Sequence, residues 1–392
     1  MQPSFYFPGR VNNFFSPTKI VLGAGAAKTV GAQAKAIGCR RALLVTDQGI
    51  ISTGMAEAMK ECLVSEKIDF VVFDKVELET PARVIDEGAK YARDNNCDLL
   101  IALGGGTTID TTKGISLMVN NKGSVLDYVG IDRVPVKGLP KILIPTTAGS
   151  GSEATRAFGV TDEAERMKKA VSTPYGLGDV AILDPFLTLS LPPMLTAETG
   201  LDALAHAVEA YVSDLATPFS DVLALEAIRL VGKSLLTAYA KSENIEARFD
   251  MLLAATLAGL AFGSGGLGAV HAFSFVLETE HGLGHARAVS VILPHIMKYN
   301  KIGVLRKYGM MAMALGEQVE GLTDSQAAEM AIVAVSRMLD ETGISSRLGD
   351  YGISQDHLSE LVAGTMKQTR LFVPNPRNLT EDDVRNIFMR AL

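Results

Sequence analysis

The chain carries no tryptophan, no apolar run long enough to span a bilayer, and only three cysteines among 392 residues. Cys39, Cys62 and Cys97 are scattered without metal-ligand spacing, which argues against a disulfide framework or a zinc ribbon and suits a reducing compartment. Basic charge is scarce too: 37 Lys and Arg against 44 Asp and Glu give a formal charge of -7, the wrong sign for a nucleic-acid surface. The opening "MQPSFYFPGR" lacks the basic region, apolar stretch and cleavage site of a secretory signal, so the expected compartment is the cytoplasm. No internal repeat or low-complexity tract is evident. What is there is a chain 47% apolar and 21% charged, long enough for two domains with full cores.

The two halves differ in period. From about residue 19 to residue 185, six β-rich runs ("KIVLG", "RALLVTD", "DFVVFD", "DLLIALGGG", "KILIPTT", "VAILDP") alternate with helical patterns such as "GMAEAMKECLVSE" and "PARVIDEGAKYARDN". That alternation predicts parallel strands with crossover helices on both faces. From Thr196 onward the apolar spacing is helical nearly throughout, as in "SDVLALEAIRLVGKSLLTAYA" and "ARFDMLLAATLAGLAF". The adjacent prolines of "DPFLTLSLPPML" interrupt any continuing element and mark the expected boundary. The expected fold is an α/β, Rossmann-like domain over residues 1–190 followed by an all-helical domain over 191–392.

Polar turns follow two of the strand-like runs. In "LLIALGGGTTIDTTKG", Gly104, Gly105 and Gly106 lead into Thr107 and Thr108 at the expected start of a helix. Glycines let backbone approach an anion, and a helix N-terminus offers unpaired N–H groups, so a pyrophosphate fits there. A turn that merely needs small residues is the simpler alternative. "PTTAGSGSEATR" places Thr146, Thr147, Gly149, Ser150 and Gly151 after the strand "KILI", in position to face the same cleft. "GAGAAK" resembles a dinucleotide fingerprint, but Lys28 stands where its third glycine belongs, and the stretch reads as a structural turn. Asp47 closes "ALLVTD", where a carboxylate accepts from a ribose 2′-hydroxyl and repels a 2′-phosphate, favouring NAD over NADP. Capping the next helix is the alternative role.

The helical half holds a different chemistry. In "GLDALAHAVEAYVS", Asp202 precedes His206 by four residues, and on a helix two such side chains converge on one point. Four of the six histidines, His271, His281, His285 and His295, lie within "VHAFSFVLETEHGLGHARAVSVILPH". One carboxylate with several imidazoles suits Fe(II) or Zn(II). Spacing alone does not choose among the four, and ordinary core or surface imidazoles remain the alternative for each.

Taken together, "GGGTTIDTTK", "PTTAGSGSEAT", "DPFLTLSLPPMLTAETGLDALAHAVEAYVS" and "HARAVSVILPHIMKYN" resemble the iron-containing (group III) alcohol dehydrogenase family, over essentially the whole chain. The resemblance implies a dehydroquinate-synthase-like architecture holding NAD(H) and a divalent metal, usually Fe2+ with Zn2+ as the alternative, in a cleft between the domains. Position by position it implies metal ligands at Asp202, His206, His271 and His285. His285 is preferred to His281 because the family places its last ligand fourteen residues after the third and ten before the "LPH" histidine. It also implies pyrophosphate contacts at Gly104 to Thr107, with Thr108 beside them, and at Thr146 and Thr147. The cofactor selector falls on Asp47, and the remaining glycine-motif positions on Asp110 and Lys113. At Phe275 the chain departs from the pattern, where many members carry a second histidine. His281 is the expected substitute in the proton route, and Phe275 makes that pocket wall more apolar.

The implied activity is a metal-dependent, NAD(H)-linked alcohol dehydrogenase or aldehyde reductase. It acts by direct hydride transfer on a small primary alcohol, diol or hydroxy acid, with the metal polarising the substrate oxygen. Arg287 and Arg156 are candidates for attracting an anionic substrate such as an ω-hydroxy acid or a sulfonated aldehyde. A homo-oligomer with no nucleic-acid or membrane partner is expected. A glycerol- or maleylacetate-type reductase and a non-catalytic NAD-binding assembly protein are the alternatives.

Overall fold

The computed structural model describes residues 13–165 and 167–392. Their contacts form two compact units, one of residues 16–192 with 242–256, the other of 193–241 with 257–392.

The first unit contains the strands β1 (Lys19–Leu22), β2 (Arg41–Val45), β3 (Asp69–Phe73), β4 (Leu99–Gly104), β5 (Gly130–Ile131), β6 (Lys141–Pro145), β7 (Ala157–Asp162), β8 (Met167–Ser172) and β9 (Val180–Leu183). Six of them form a sheet in the order β1-β9-β6-β4-β2-β3, every pair parallel. These are the six apolar runs of the sequence. The helices α1 (Val30–Ile37), α2 (Gln48–Ser52), α3 (Met55–Ser65), α4 (Ala82–Asp94) and α5 (Gly106–Asn120) complete the α/β pattern. Alternation along the strands fills both faces: Ala42 and Leu44 of β2 join a core with Val30, Ala34 and Leu63, while Leu43 and Val45 join another with Ile85, Ala89 and Ile115. A strand covered on both sides must be apolar at nearly every position, which is why β2, β4, β6 and β9 stand out in the sequence, while the edge strands β1 and β3 are only partly buried.

The second, three-stranded sheet, in the order β5-β8-β7, is not foreseen by that pattern. Its β7–β8 hairpin is covered more on one side, with burial alternating along β7, and "MKKAVS" offers no continuous apolar run.

The "GAGAAK" turn is structural. Asp184, at 2% exposure, accepts from Gly25 N at 3.1 Å, Ala27 N at 3.0 Å and Phe186 N at 3.0 Å, so a protein carboxylate already occupies the amides that a phosphate would need.

The second unit is helical: α6 (Pro193–Val212), α7 (Pro218–Ala240), the end of α8 (Ile245–Gly265), α9 (Ala269–His281), α10 (His285–Asn300), α11 (Leu305–Ala314), α12 (Asp324–Thr342), α13 (Leu358–Met366), α14 (Thr369–Phe372) and α15 (Glu381–Ala391). Helix α6 is buried on every side from Gly200 to Val212. A helix buried all round should be apolar all round, yet this one carries Asp202, His206 and Glu209. Among the described residues no single helix is long and apolar enough to cross a membrane.

Asp184→Ala leaves three amides of two turns without their acceptor. At roughly 1–3 kcal/mol for each buried group left unpaired, partly offset by relaxation, the expected loss is about 3 kcal/mol. It is read as a lower urea midpoint, with metal content unchanged.

Candidate functional site

Helical spacing sets Asp202 and His206 one turn apart on α6, with Glu209 three residues further along the same face. His271 stands in the first turn of α9, and His285 is the first residue of α10. From these three helices one donor atom each of Asp202, His206, His271 and His285 comes to lie within 4.8 Å of the others. His206 Nε2 is 3.0 Å from His271 Nε2, and Asp202 Oδ1 lies 3.7 Å from His206 Nε2 and 3.9 Å from His285 Nε2. Tetrahedral coordination with bonds of about 2.1 Å separates donors by about 3.4 Å, in the middle of that range.

The donors are prepared for a cation. Asp202 Oδ1 is buried with no hydrogen-bond partner, a costly state for a carboxylate oxygen unless positive charge meets it. Burial pushes the His206 imidazole down to about 4, although Asp202 opposes the shift, so the ring is held in the neutral, ligating form. Carboxylates orient the other two rings. His271 Nδ1 donates to Glu209 Oε2 at 2.5 Å and His285 Nδ1 to Glu278 Oε2 at 3.0 Å. A carboxylate only accepts, so each ring carries its proton on Nδ1 and presents the Nε2 lone pair inward. Three of the four ligands are nearly inaccessible, whereas 28% of the His285 side chain is exposed. The residues present fit a divalent ion.

Aromatic rings line the imidazoles. Phe262 stacks on His206 with centroids 4.7 Å apart, and Phe275 lies 6.3 Å from His271 and 6.0 Å from His285. Phe275 therefore borders the metal centre, on the helix that carries His271. His281 does not join the ligand cluster. At the far end of α9, about 15 Å along the axis from His271 by helical rise, it packs edge-on against His357 at 4.9 Å. The C-cap turn at Gly282 redirects the chain after it, so nearness in sequence to His285 does not bring it among the donors. His295 is engaged elsewhere, its Nε2 donating to Ser346 O at 2.8 Å. Arg287 is two residues from His285, a spacing that puts side chains on different helical faces. It pairs with Glu198 through Nε at 2.6 Å and through Nη2. Arg156 pairs with Asp132. Neither arginine carries an uncompensated charge.

Glu209 and Glu278 were not anticipated from sequence, although Glu209 has a legible signal in its helical register with Asp202 and His206.

In the α/β unit, adjacent pairing of β2, β4 and β6 brings their carboxyl ends side by side. Asp47 follows β2, Gly104 to Thr108 follow β4, and Thr146 and Thr147 follow β6. No side chain caps the N-terminus of α5. Gly105, Gly106, Thr107 and Thr147 are partly exposed, while Gly104, Thr108 and Thr146 are buried. A Cβ on Gly106 would lie 2.7 Å from Ser150 Oγ, so glycine is needed for the two loops to meet. The free amides and the glycine backbone fit a pyrophosphate. Of the two roles considered for Asp47, the helix cap is formed: Oδ1 caps α2 by accepting from Ile50 N at 3.0 Å, while Oδ2 accepts from Thr108 Oγ1 at 3.3 Å.

Asp110, expected among the cofactor contacts, is engaged inside the protein. Its oxygens accept from Ser152 Oγ at 2.5 Å and Gly159 N at 2.8 Å. Beside it Lys113, fully buried, donates to Ser152 Oγ, Thr155 Oγ1 and Ala157 O at 2.8, 3.0 and 2.9 Å. Burial lowers its ammonium to about 8 against the pull of Asp110 and Glu153. Burial raises Glu153, whose Oε1 accepts from Thr256 Oγ1 at 2.6 Å. Asp110 and Lys113 thus brace the second loop against α5.

Comparison with known proteins agrees with this arrangement. The family described as iron-containing alcohol dehydrogenase matches residues 17–185, and the Fe-containing alcohol dehydrogenase family, C-terminal, matches 196–392. The NAD-dependent methanol dehydrogenase of Bacillus methanolicus is 38% identical over 382 residues, 97% of this chain and 100% of that protein. The crystal structure of a 1,3-propanediol oxidoreductase superposes with a TM-score of 0.95 at 34% identity, over 98% of this chain and 100% of that one. The sulfoacetaldehyde reductase of Bifidobacterium kashiwanohense, solved in complex with NAD+, gives 0.88 at 29% identity, over 98% and 99%. The family matches on both halves and the full-length relatives bring the sequence and the four-ligand centre to one conclusion: the chain belongs to the iron-containing alcohol dehydrogenase family and is an NAD-dependent alcohol oxidoreductase.

Proposed function

We propose that the chain interconverts a small, uncharged primary alcohol or diol with its aldehyde, using NAD(H) and an iron ion held by Asp202, His206, His271 and His285. The observation that carries the reading is the convergence of those four side chains, two of whose rings are fixed by carboxylates with the Nε2 lone pair inward. When bound, the metal supplies Lewis acidity to the substrate oxygen and the nicotinamide exchanges the hydride. The chain's own part is positional. Glu209 and Glu278 hold the Nδ1 protons of two ligand rings, and Phe262 and Phe275 turn apolar faces toward the imidazoles, where they exclude water and suit methylene groups. The α5 N-terminus and the Gly104–Thr107 backbone receive the cofactor's pyrophosphate, with Thr146 and Thr147 beside it, and Asp47 faces its ribose.

An uncharged substrate is favoured because Arg287 and Arg156, the arginines considered for an anion, are each spent on a carboxylate. Methanol and 1,3-propanediol, named for two of the relatives, are of this kind, whereas sulfoacetaldehyde is the anionic contrast.

Four outcomes test the reading. Protein purified without oxygen should hold near-stoichiometric iron by mass spectrometry. His285→Ala should lose both the metal and NADH-dependent aldehyde reduction, by more than the about 100-fold that loss of an outer-shell partner costs. Retention of both would remove His285 from the ligand set. Asp47→Ala should raise kcat/KM for NADPH relative to NADH by about tenfold, or roughly 1.4 kcal/mol, and an unchanged ratio would deny Asp47 its role in cofactor choice. Over a panel of short aldehydes, propionaldehyde should exceed sulfoacetaldehyde and succinic semialdehyde in kcat/KM, with KM for the anionic pair unmoved by Arg287→Ala. A preference for the anions that disappears in that variant would instead assign the sulfonated or carboxylated substrate class.

A further inference from the structure

Helix α9 begins without a cap of its own, because Gly268 at its N-cap position offers no side chain. Its first amides are served from other elements: Val270 N donates to Glu209 Oε1 at 2.6 Å, and Ala269 N to Asn375 Oδ1 at 3.4 Å. A Cβ at Gly268 would lie 3.2 Å from Glu209 Oε1 and 3.3 Å from Asn375 Oδ1, so the glycine gives both side chains room at the helix end. Asn375 is itself fixed by a reciprocal amide pair with Asn300, at 2.8 and 2.9 Å. The second oxygen of Glu209 takes the Nδ1 proton of His271. One buried carboxylate therefore holds both the helix that carries a ligand and the ring of that ligand, while supplying no atom to the four-donor cluster itself.

We propose that Glu209 is a positioning residue of the metal centre, selecting the ligating tautomer of His271 and anchoring the N-terminus of α9 with the same carboxylate. The inference rests on the metal-dependent reading above. Glu278 performs the first of these tasks for His285.

Glutamine cannot do the same work. Both neighbours of Glu209 are donors, whereas an amide has one oxygen and one NH2 group. With its oxygen on Val270 N–H, the NH2 group faces His271 Nδ1 and drives the ring proton to Nε2, where the lone pair is needed. With its oxygen on His271, two donors oppose each other at Val270. Either arrangement weakens metal binding without changing the size of the side chain.

The test uses Zn2+ titrated into the metal-depleted full-length chain against a chromophoric chelator, with the visible bands of the Co2+-loaded protein as a second readout. Glu209→Gln is expected to weaken Zn2+ binding about 10- to 100-fold, to shift the Co2+ bands, and to lower the melting point of the metal-free protein. Glu278→Gln should weaken Zn2+ binding in the same range. Wild-type affinity and Co2+ bands in Glu209→Gln would overturn the proposal. If Glu209→Gln does not fold, Glu209→Asp decides: it keeps the charge but withdraws both oxygens by one methylene, so weaker Zn2+ binding in a chain of wild-type circular dichroism supports the role and unchanged affinity overturns it. A wild-type chain that takes up neither Zn2+ nor Co2+ overturns the metal-centre reading first, and the role of Glu209 with it.

Discussion

Buried negative charge must be met by positive charge or by hydrogen-bond donors, and the helical unit is arranged around that requirement. Asp202, Glu209 and Glu278 are all at least nine-tenths buried. Glu209 and Glu278 find N–H donors on His271, His285 and Val270. Asp202 Oδ1 finds none, and it faces Nε2 of His206, a ring that burial keeps neutral, and Nε2 of His285. The missing charge is what a divalent ion brings. Asp202, His206 and Glu209, which interrupt the buried stretch of α6 from Gly200 to Val212, belong to one electrostatic arrangement.

The α/β unit resolves the same problem by internal pairing. Asp110, Lys113 and Ser152 satisfy one another, and Asp184 satisfies the first glycine turn. The effect is selective: of two glycine-rich turns, the one at Gly23 has its amides filled by a carboxylate, and the one at Gly105 leaves an uncapped helix end. Lys113 reaches three acceptors within the protein, so the motif lysine supports the loop from behind.

How much of this was legible in the sequence depends on whether a position answers to local or distant neighbours. The strands of the six-stranded sheet appear as apolar runs, most continuously in β4, β6 and β9, which are buried throughout. The β7–β8 hairpin, covered more on one face, gives no such run. Asp202 and His206 are recognisable because helical spacing joins them, whereas assigning His271 and His285 required the family resemblance. His281 had the right chemistry and lies near them in sequence, but the helical rise of α9 carries it away. Glu209 and Glu278 were missed because a lone glutamate in a helix looks like ordinary surface charge until burial is known. Asp110 was placed with the cofactor because its motif is, and the hydrogen bonds that engage both its oxygens inside the protein depend on neighbours more than forty residues away.

The uncapped start of α9 also bears on the order in which the centre can form. Its amides wait for Glu209, 61 residues earlier than Val270, and for Asn375, 106 residues later than Ala269. Contacts so distant along the chain close late, because the entropy of closing long loops must be met before they contribute. The ring of His271 is therefore held only where α6 has docked against α9. The donor set is complete only where α6, α9 and α10 have all been made and packed together, so a chain whose synthesis has not yet reached α10 offers an ion fewer than four ligands.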